Sequence, residues 1–271
     1  MIPFLFSLLG WIPRGTMARR MYRRLFFLCA RKEVRQLYHN IQRVWGLPPH
    51  SSFARVFAAQ VIDHQILVFL DAVRPLSDFT IEGLDTLQCH VNEVTSERGQ
   101  LLVTAHLGNW EFAGACTARA SDRAFYALGK PVRWLTPWIE YGRKRLGIST
   151  LWTHQQAERK MLSVLKEGNF LALVMDQKPK GRNGPVVNFF GQPTEFVAGP
   201  ATLAIRSQLG VVAAFCVRTA PGRYRVVSRV LTLPGHGETD VQALTQRFAG
   251  EIEIWIRTYP EQWTWNYKRW R

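Results

Sequence analysis

The apolar positions of the chain change period near residue 80. Before it they recur at helical spacing. Residues 16–44 and 51–74 read as helices, the second carrying Phe53, Val56, Phe57, Val61, Leu67 and Val68 as its apolar set. Pro75 stops that helix, and Leu47-Pro-Pro-His50 is the turn before it. Beyond residue 80, short apolar runs alternate with longer mixed segments. Leu101–Ala105, Ala124–Leu128, Ile148–Trp152 and Phe170–Met175 read as strands, with helices between them near 110–120, 132–146 and 156–167. A Gly/Pro-rich loop from Gln177 to Pro193 is interrupted by the short run Val186–Phe190. A helix near 197–208, strands at Val211–Val217 and Tyr224–Val230, and a long helix near 240–257 complete the pattern. Strands separated by helices of this length imply βαβ units. The expected fold class is therefore α/β, a mainly parallel central sheet flanked by helices, with an N-terminal helical section. The expected division is 1–78 for that section and 79–271 for the α/β domain.

Charge alters the picture at the N-terminus. Lys and Arg number 35 against 20 Asp and Glu, a formal balance of +15. Such an excess attracts polyanions: nucleic acid, anionic lipid or an acidic protein. Met1–Pro13 is apolar but shorter than the ~20 residues that span a bilayer. Its positive charges follow the apolar run instead of preceding it, so it does not read as a signal peptide. Arg14, Arg19, Arg20, Arg23 and Arg24 come next, then the apolar Leu25–Ala30, then Arg31, Lys32 and Arg35. Apolar patches alternating with clustered arginines suit a segment lying on an anionic membrane surface, on the cytoplasmic side where basic flanks remain. Ten Trp residues agree with an interface or with ordinary packing. The plain alternative is a helix packed on the domain with a solvated basic face. Four scattered Cys make no CxxC pair, which argues for reduced thiols and against a zinc knuckle or disulfide framework. A basic module for nucleic acid or membranes would also account for the charge. No RNP-like, helix-turn-helix or zinc-finger pattern accompanies it, so no nucleic-acid partner is expected.

The stretch richest in chemistry is Thr104-Ala-His-Leu-Gly-Asn-Trp-Glu-Phe-Ala-Gly114. His106 falls where an apolar strand ends, the edge at which open α/β sheets bind ligands. Asn109 suits the cap of the next helix, and Glu111 its first turn. A carboxylate there can fold back on the ring, bind one imidazole nitrogen and leave the other as a base. The competing reading is a capping Asn, a dipole-matched Glu and a His that fills a loop. Asp176 leaves a second buried strand, FLALVM, into a glycine-rich basic loop at the same edge; alone it is also a turn former. Tyr141-Gly-Arg-Lys-Arg145 ends a helix, where cations match the dipole. The His/Glu spacing is not HExxH and no His cluster adds a third ligand, so no metal is expected. No Ser sits in a G-x-S-x-G elbow and Cys116 has no evident base, so no covalent intermediate is expected; the expected cofactor set is likewise empty.

His106-Leu-Gly-Asn-Trp-Glu111 resembles the H-x4-D/E motif of the lysophospholipid acyltransferase superfamily. More specifically, the chain resembles the bacterial lipid A late acyltransferases, the lauroyl/myristoyl transferase family. Asp176-Gln177, Val187-Asn-Phe-Phe-Gly191 and Ala198-Gly-Pro-Ala-Thr-Leu-Ala204 are similar to that family's middle block. Tyr259-Pro-Glu-Gln-Trp-Thr-Trp-Asn-Tyr-Lys-Arg-Trp270 is similar to its closing signature, and Leu9-Gly-Trp-Ile-Pro13 with its basic helix fits the start. The resemblance implies transfer of a fatty acyl chain from acyl carrier protein, or coenzyme A, to a hydroxyl of a lipid A precursor or related lipid. The place implied is the cytoplasmic face of the inner membrane, with the protein peripheral or monotopic. It implies His106 as general base, Glu111 as its partner, and Asp176 with an arginine within Arg143 or Arg145 as further site residues. Asn109, Arg143, Arg145, Asp176 and Gln177 make up the expected binding set. Backbone N–H groups after Leu107, or the Arg143/Arg145 region, are the expected oxyanion donors. Lys178-Pro-Lys180 stands where typical members carry a more acidic or aromatic loop. Other glycolipid, phospholipid, aminolipid or natural-product acceptors therefore stand beside lipid A. A phosphate block of the E-G-T-R type is absent at about 60–80 residues after His106.

Overall fold

The computed structural model describes residues 13, 15–153, 156–179 and 184–270. Residues 1–12 and Arg14, the apolar start and first arginine of the expected membrane segment, lie outside them, as does Lys180. The long first helix of the sequence reading is broken. Thr16–Cys29 (α1) and Arg31–Trp45 (α2) meet at Ala30, whose ψ of 47° leaves the helical region. Gly46, at φ 66°, ends α2 in the left-handed conformation that favours glycine. Ser52–Ala72 (α3) starts from Ser51, whose side chain accepts from the Ala54 N–H. Its 21 residues are long and apolar enough to cross a membrane, yet half are buried within the protein. Phe57, Val61 and Ile62 pack into the core.

Next come Thr80–Glu82 (β1), Leu84–Val94 (α4), Gln100–Thr104 (β2), Trp110–Arg119 (α5) and Phe125–Gly129 (β3). Thr136–Arg145 (α6), Ser149–Trp152 (β4), Ala157–Lys166 (α7) and Phe170–Val174 (β5) continue the alternation. Val186–Phe189 (β6) and Gln192–Glu195 (β7) form a separate antiparallel pair. Gly199–Ser207 (α8), Gly210–Ala220 (β8), Arg223–Thr232 (β9) and Val241–Thr258 (α9) finish the chain. The seven-stranded sheet has the order β1-β9-β8-β2-β5-β3-β4. Only β8 and β9 run antiparallel, because the two residues between them are too few for a crossover and Gly222, at φ 70°, lets the chain turn back. The expected α/β class and mainly parallel sheet are present. The sequence pattern did not resolve β1, α4 or β7, which are short or lack an apolar run.

The pleat divides the core between the two faces. Leu101 and Val103 point to one, with Leu37, Ile41, Phe248, Ile252 and Trp265. Leu102 points to the other, with Leu87, Phe112 and Tyr224. The N-terminal helices thus share a core with the sheet and with the last segment of the chain. Asn40 Nδ2 donates to the carbonyls of Trp265 and Tyr267, both at 2.7 Å, and Trp265 packs on Trp45 with ring centroids 4.6 Å apart. Removing a buried donor strands its acceptors, which costs more than the bond itself contributes. Asn40→Ala is expected to lower unfolding free energy by about 2–4 kcal/mol in urea denaturation. A loss under about 0.5 kcal/mol would show that Asn40 does not hold the two segments together.

Candidate active site

Strand register brings the central pair together. β2 and β5 pair in parallel from Gln100↔Phe170 to Thr104↔Val174. The offset is 174 − 104 = 70, and His106 and Asp176 are separated by the same 70 residues. Each lies two residues past its strand, after the Met175 N–H has made one more bond to the Thr104 carbonyl. The Asp176 carboxylate is 2% exposed and holds three donors. Oδ1 lies 2.8 Å from His106 Nδ1, while Oδ2 accepts from the His106 backbone N–H at 3.1 Å and from Trp263 Nε1 at 2.7 Å. His106 is less enclosed, with 24% of its side chain exposed. The Trp110 ring stands edge-on to it at 5.0 Å.

The expectation that Glu111 holds the imidazole is corrected here. Asp176 occupies Nδ1, and Glu111 grips Arg143: Nε–Oε2 and Nη2–Oε1 are both 2.9 Å. Gly108 is the physical reason. Its φ of 61° turns the chain, and its backbone lies so close to Cys216 that an added Cβ would stand 2.2 Å from the Cys216 carbonyl oxygen. α5 then starts with Glu111 facing Arg143 in the last turn of α6. Glu111 still acts on His106 through its charge.

The other expected residues divide. Asn109 Oδ1 accepts from the Phe112 N–H at 3.1 Å and so caps α5. Gln177 Nε2 is 3.5 Å from His106 Nε2, on the open side of the ring. Arg143 belongs to the site; Arg145 does not, its Nη1 reaching the Val73 carbonyl at 3.4 Å on the surface. Of the backbone donors after Leu107, the first two are already spent. Gly108 N–H bonds the Gln262 carbonyl at 3.0 Å, and Asn109 N–H the Cys216 carbonyl at 2.7 Å. Among the described residues, no group of three His, Cys, Asp or Glu is placed to hold a metal ion. Sequence reasoning missed Trp263 and Trp110 as site residues. The signal was available for Trp263, since a buried indole N–H needs an acceptor.

The pair is electrostatically coupled. Burial alone would raise the Asp176 carboxyl, but the His106 charge and the hydrogen bonds from His106 and Trp263 hold its pKa below the usual carboxylate value. Burial alone would lower His106; the Asp176 charge and hydrogen bond, aided by Glu111 and opposed by Arg143, raise it above the ordinary 6.5. Nδ1–H bonded to a carboxylate leaves the Nε2 lone pair outward, the arrangement of an oriented general base.

An apolar cleft of about 810 Å³ opens beside this pair, within the range of small-ligand sites. Val68, Phe69, Trp134, Leu135, Trp138 and Ile139 supply apolar wall, and Glu111 with Arg143 supply its charged end. Phe69 and Trp134 remain 59% and 72% exposed. An NMR titration is expected to place the His106 pKa above 6.5, and Asp176→Asn is expected to bring it down, because burial then acts without the opposing carboxylate. An unmoved His106 pKa in that variant would contradict the pairing.

Comparison with known proteins assigns this geometry to a family. The model of the bacterial lipid A biosynthesis acyltransferases matches residues 32–271, which contain every site residue named above. A phosphatidylinositol mannoside acyltransferase of Mycobacterium tuberculosis is 28% identical over 281 residues, covering 94% of this chain and 84% of its own length. Its namesake in Mycolicibacterium smegmatis is 29% identical over 283 residues, covering 94% and 86%. The match spans nearly the whole chain, and the expected acyltransferase activity agrees with the names of both relatives. The chain belongs to the bacterial lipid A biosynthesis acyltransferase family.

Proposed function

We propose that the protein moves a fatty acyl chain from a thioester carrier, acyl carrier protein or coenzyme A, to a hydroxyl of a membrane glycolipid at the cytoplasmic face of the inner membrane. The observation that carries this reading is the His106–Asp176 pair beside an apolar cleft with an exposed aromatic mouth. The acceptor class draws on the two names among similar proteins, lipid A for the family and phosphatidylinositol mannosides for the relatives. A lipid A precursor and a mannosylated lipid are the two acceptors to test first.

A neutral hydroxyl attacks a thioester slowly. His106 Nε2 takes the hydroxyl proton as the oxygen bonds to the carbonyl carbon, and Asp176 stabilises the imidazolium that results. The tetrahedral intermediate expels the thiolate, which receives the proton from His106. Such base assistance is worth roughly 10²–10⁴-fold. The Gly108 and Asn109 N–H groups are engaged, and the Gln177 amide on the open side of His106 is the side-chain donor for the oxyanion. A donor of this kind contributes about 3–4 kcal/mol. The Glu111-held guanidinium of Arg143 adds positive charge at the polar end of the cleft. The chemistry needs neither a metal nor a cofactor.

The surface suits a lipid bilayer. Met17, Met21, Leu25 and Leu28 are exposed on α1 among Arg19, Arg20, Arg23 and Arg24, and Phe69 and Trp134 are exposed at the cleft mouth. The net charge of +15 favours anionic headgroups and an acidic carrier protein alike.

His106→Ala is expected to fold, to bind vesicles and to lose acyl transfer, measured by mass spectrometry of lipid products from acyl carrier protein and coenzyme A donors. Near-normal turnover in that variant would remove the mechanism. The double change Phe69→Ser, Trp134→Ser is expected to weaken partition into anionic vesicles by about tenfold or more, since each ring loses roughly 1.5–3 kcal/mol of apolar burial. Unchanged partition would place the membrane contact elsewhere.

A further inference from the structure

One face of α2 carries a row of cations. Arg31, Arg35, His39 and Gln42 recur at spacings of four, four and three, so they share a single stripe of the helix. Like charges one turn apart repel, and Arg31 and Arg35 stand in that relation. No carboxylate relieves them. Among the described residues, Arg31, Arg35 and His39 take part in no ion pair. Glu33, the one acidic residue of α2, projects from the opposite side of the helix.

The stripe lines a hollow of about 410 Å³ between α2 and the turn that precedes α3. Phe27 and Val34 give the hollow apolar wall, and His50 closes it from the turn. His50 holds the left-handed conformation, at φ 64°, which few residues with a side chain adopt. Two contacts keep it there. Arg55 Nε donates to its carbonyl at 2.6 Å, and its ring packs on Tyr38 with centroids 4.3 Å apart. Backbone of this kind persists where the surroundings fix it, and it recurs at ligand clamps. Arg31, Arg35, His39 and His50 are all exposed, so a molecule from solution or from a membrane can reach them.

Phosphate is the group that this set fits. A guanidinium presents paired N–H donors that match two phosphate oxygens, and each imidazole adds at least one N–H. The setting favours a lipid phosphate over a free one. Leu28 stands just before Arg31 in the chain, Phe53 and Val56 just after His50, and all three are exposed. Apolar side chains that enter a bilayer bring the cations beside them to the depth of the headgroups. Phe27 and Val34 then suit the glycerol and the first acyl carbons of the same lipid.

We propose that the hollow between α2 and the Pro49-His50 turn holds the phosphate of an anionic membrane phospholipid through Arg31, Arg35, His39 and His50. The hollow shares no lining residue with the cleft beside His106. It anchors the protein without taking part in acyl transfer, and its failure would leave the His106 mechanism untouched.

The test titrates the full chain with monomeric dihexanoylphosphatidylglycerol and follows the ring ¹⁵N resonances of His39 and His50. Both are expected to shift saturably. Arg31→Gln with Arg35→Gln is expected to weaken this binding, and partition into equimolar phosphatidylcholine–phosphatidylglycerol vesicles, by about tenfold or more. Arg20→Gln with Arg24→Gln removes the same charge from α1 outside the hollow and is expected to keep the shift. Val34→Phe fills the hollow at unchanged charge and is expected to lose it. Equal losses in the two arginine pairs would show a diffuse attraction and overturn the proposal. Unmoved resonances with the lipid overturn it too, as does inorganic phosphate binding as tightly as the lipid. Acyl transfer to a detergent-dispersed acceptor is expected to persist in the Arg31/Arg35 variant, and its loss would contradict the separation of the two sites.

Discussion

The Asp176 carboxylate is buried, and it stays ionised because three N–H groups, one of them on the His106 imidazole, converge on it. An ionised carboxylate in the interior is tolerated only with such compensation. Those donors come from two places: the exit of β2, through His106, and the last segment of the chain, through Trp263. One anion therefore fixes the His106 ring, the loop that carries it and the segment that closes over it. The in-register pairing of β2 with β5 is what puts the carboxylate within reach.

The last segment follows from the same constraint. Trp263 is buried against the core while its indole N–H meets Asp176, and Gln262 bonds both Gly108 and the Arg218 backbone. Asn40 of α2 then anchors Trp265 and Tyr267. The helical section thus contributes to the site through packing, and through α3 it supplies Val68, Phe69 and His64 to the cleft. The apolar cleft and the His106–Asp176 pair draw on different parts of the chain that share one core.

Much of the fold was legible because periodicity reports local burial. The runs at Leu101 and Phe170, the stop at Pro75 and the cap at Asn109 are local signals, and each corresponds to an element or cap in the structure. Asp176 was recognisable as a ligand-edge residue because strand ends are. What the sequence could not show was which carboxylate meets which base. A five-residue separation between His106 and Glu111 allows the fold-back, but the outcome depends on strand register and on the turn at Gly108, both tertiary facts. Arg143 and Arg145 likewise looked equivalent at a helix end. Their separation by two positions sends one toward Glu111 and the other toward Val73. The β8–β9 hairpin and the break at Ala30 escaped for a similar reason, since neither interrupts the apolar pattern that encloses it.

The central claim is that Asp176 acts through His106 as one base. The direct measurement is a double-mutant cycle on kcat with His106→Ala, Asp176→Asn and the two combined. Residues that act as a unit are strongly non-additive. The account predicts that the combined variant is about as slow as His106→Ala alone. Losses that multiply in the double variant would contradict it, because Asp176 would then act independently of the imidazole.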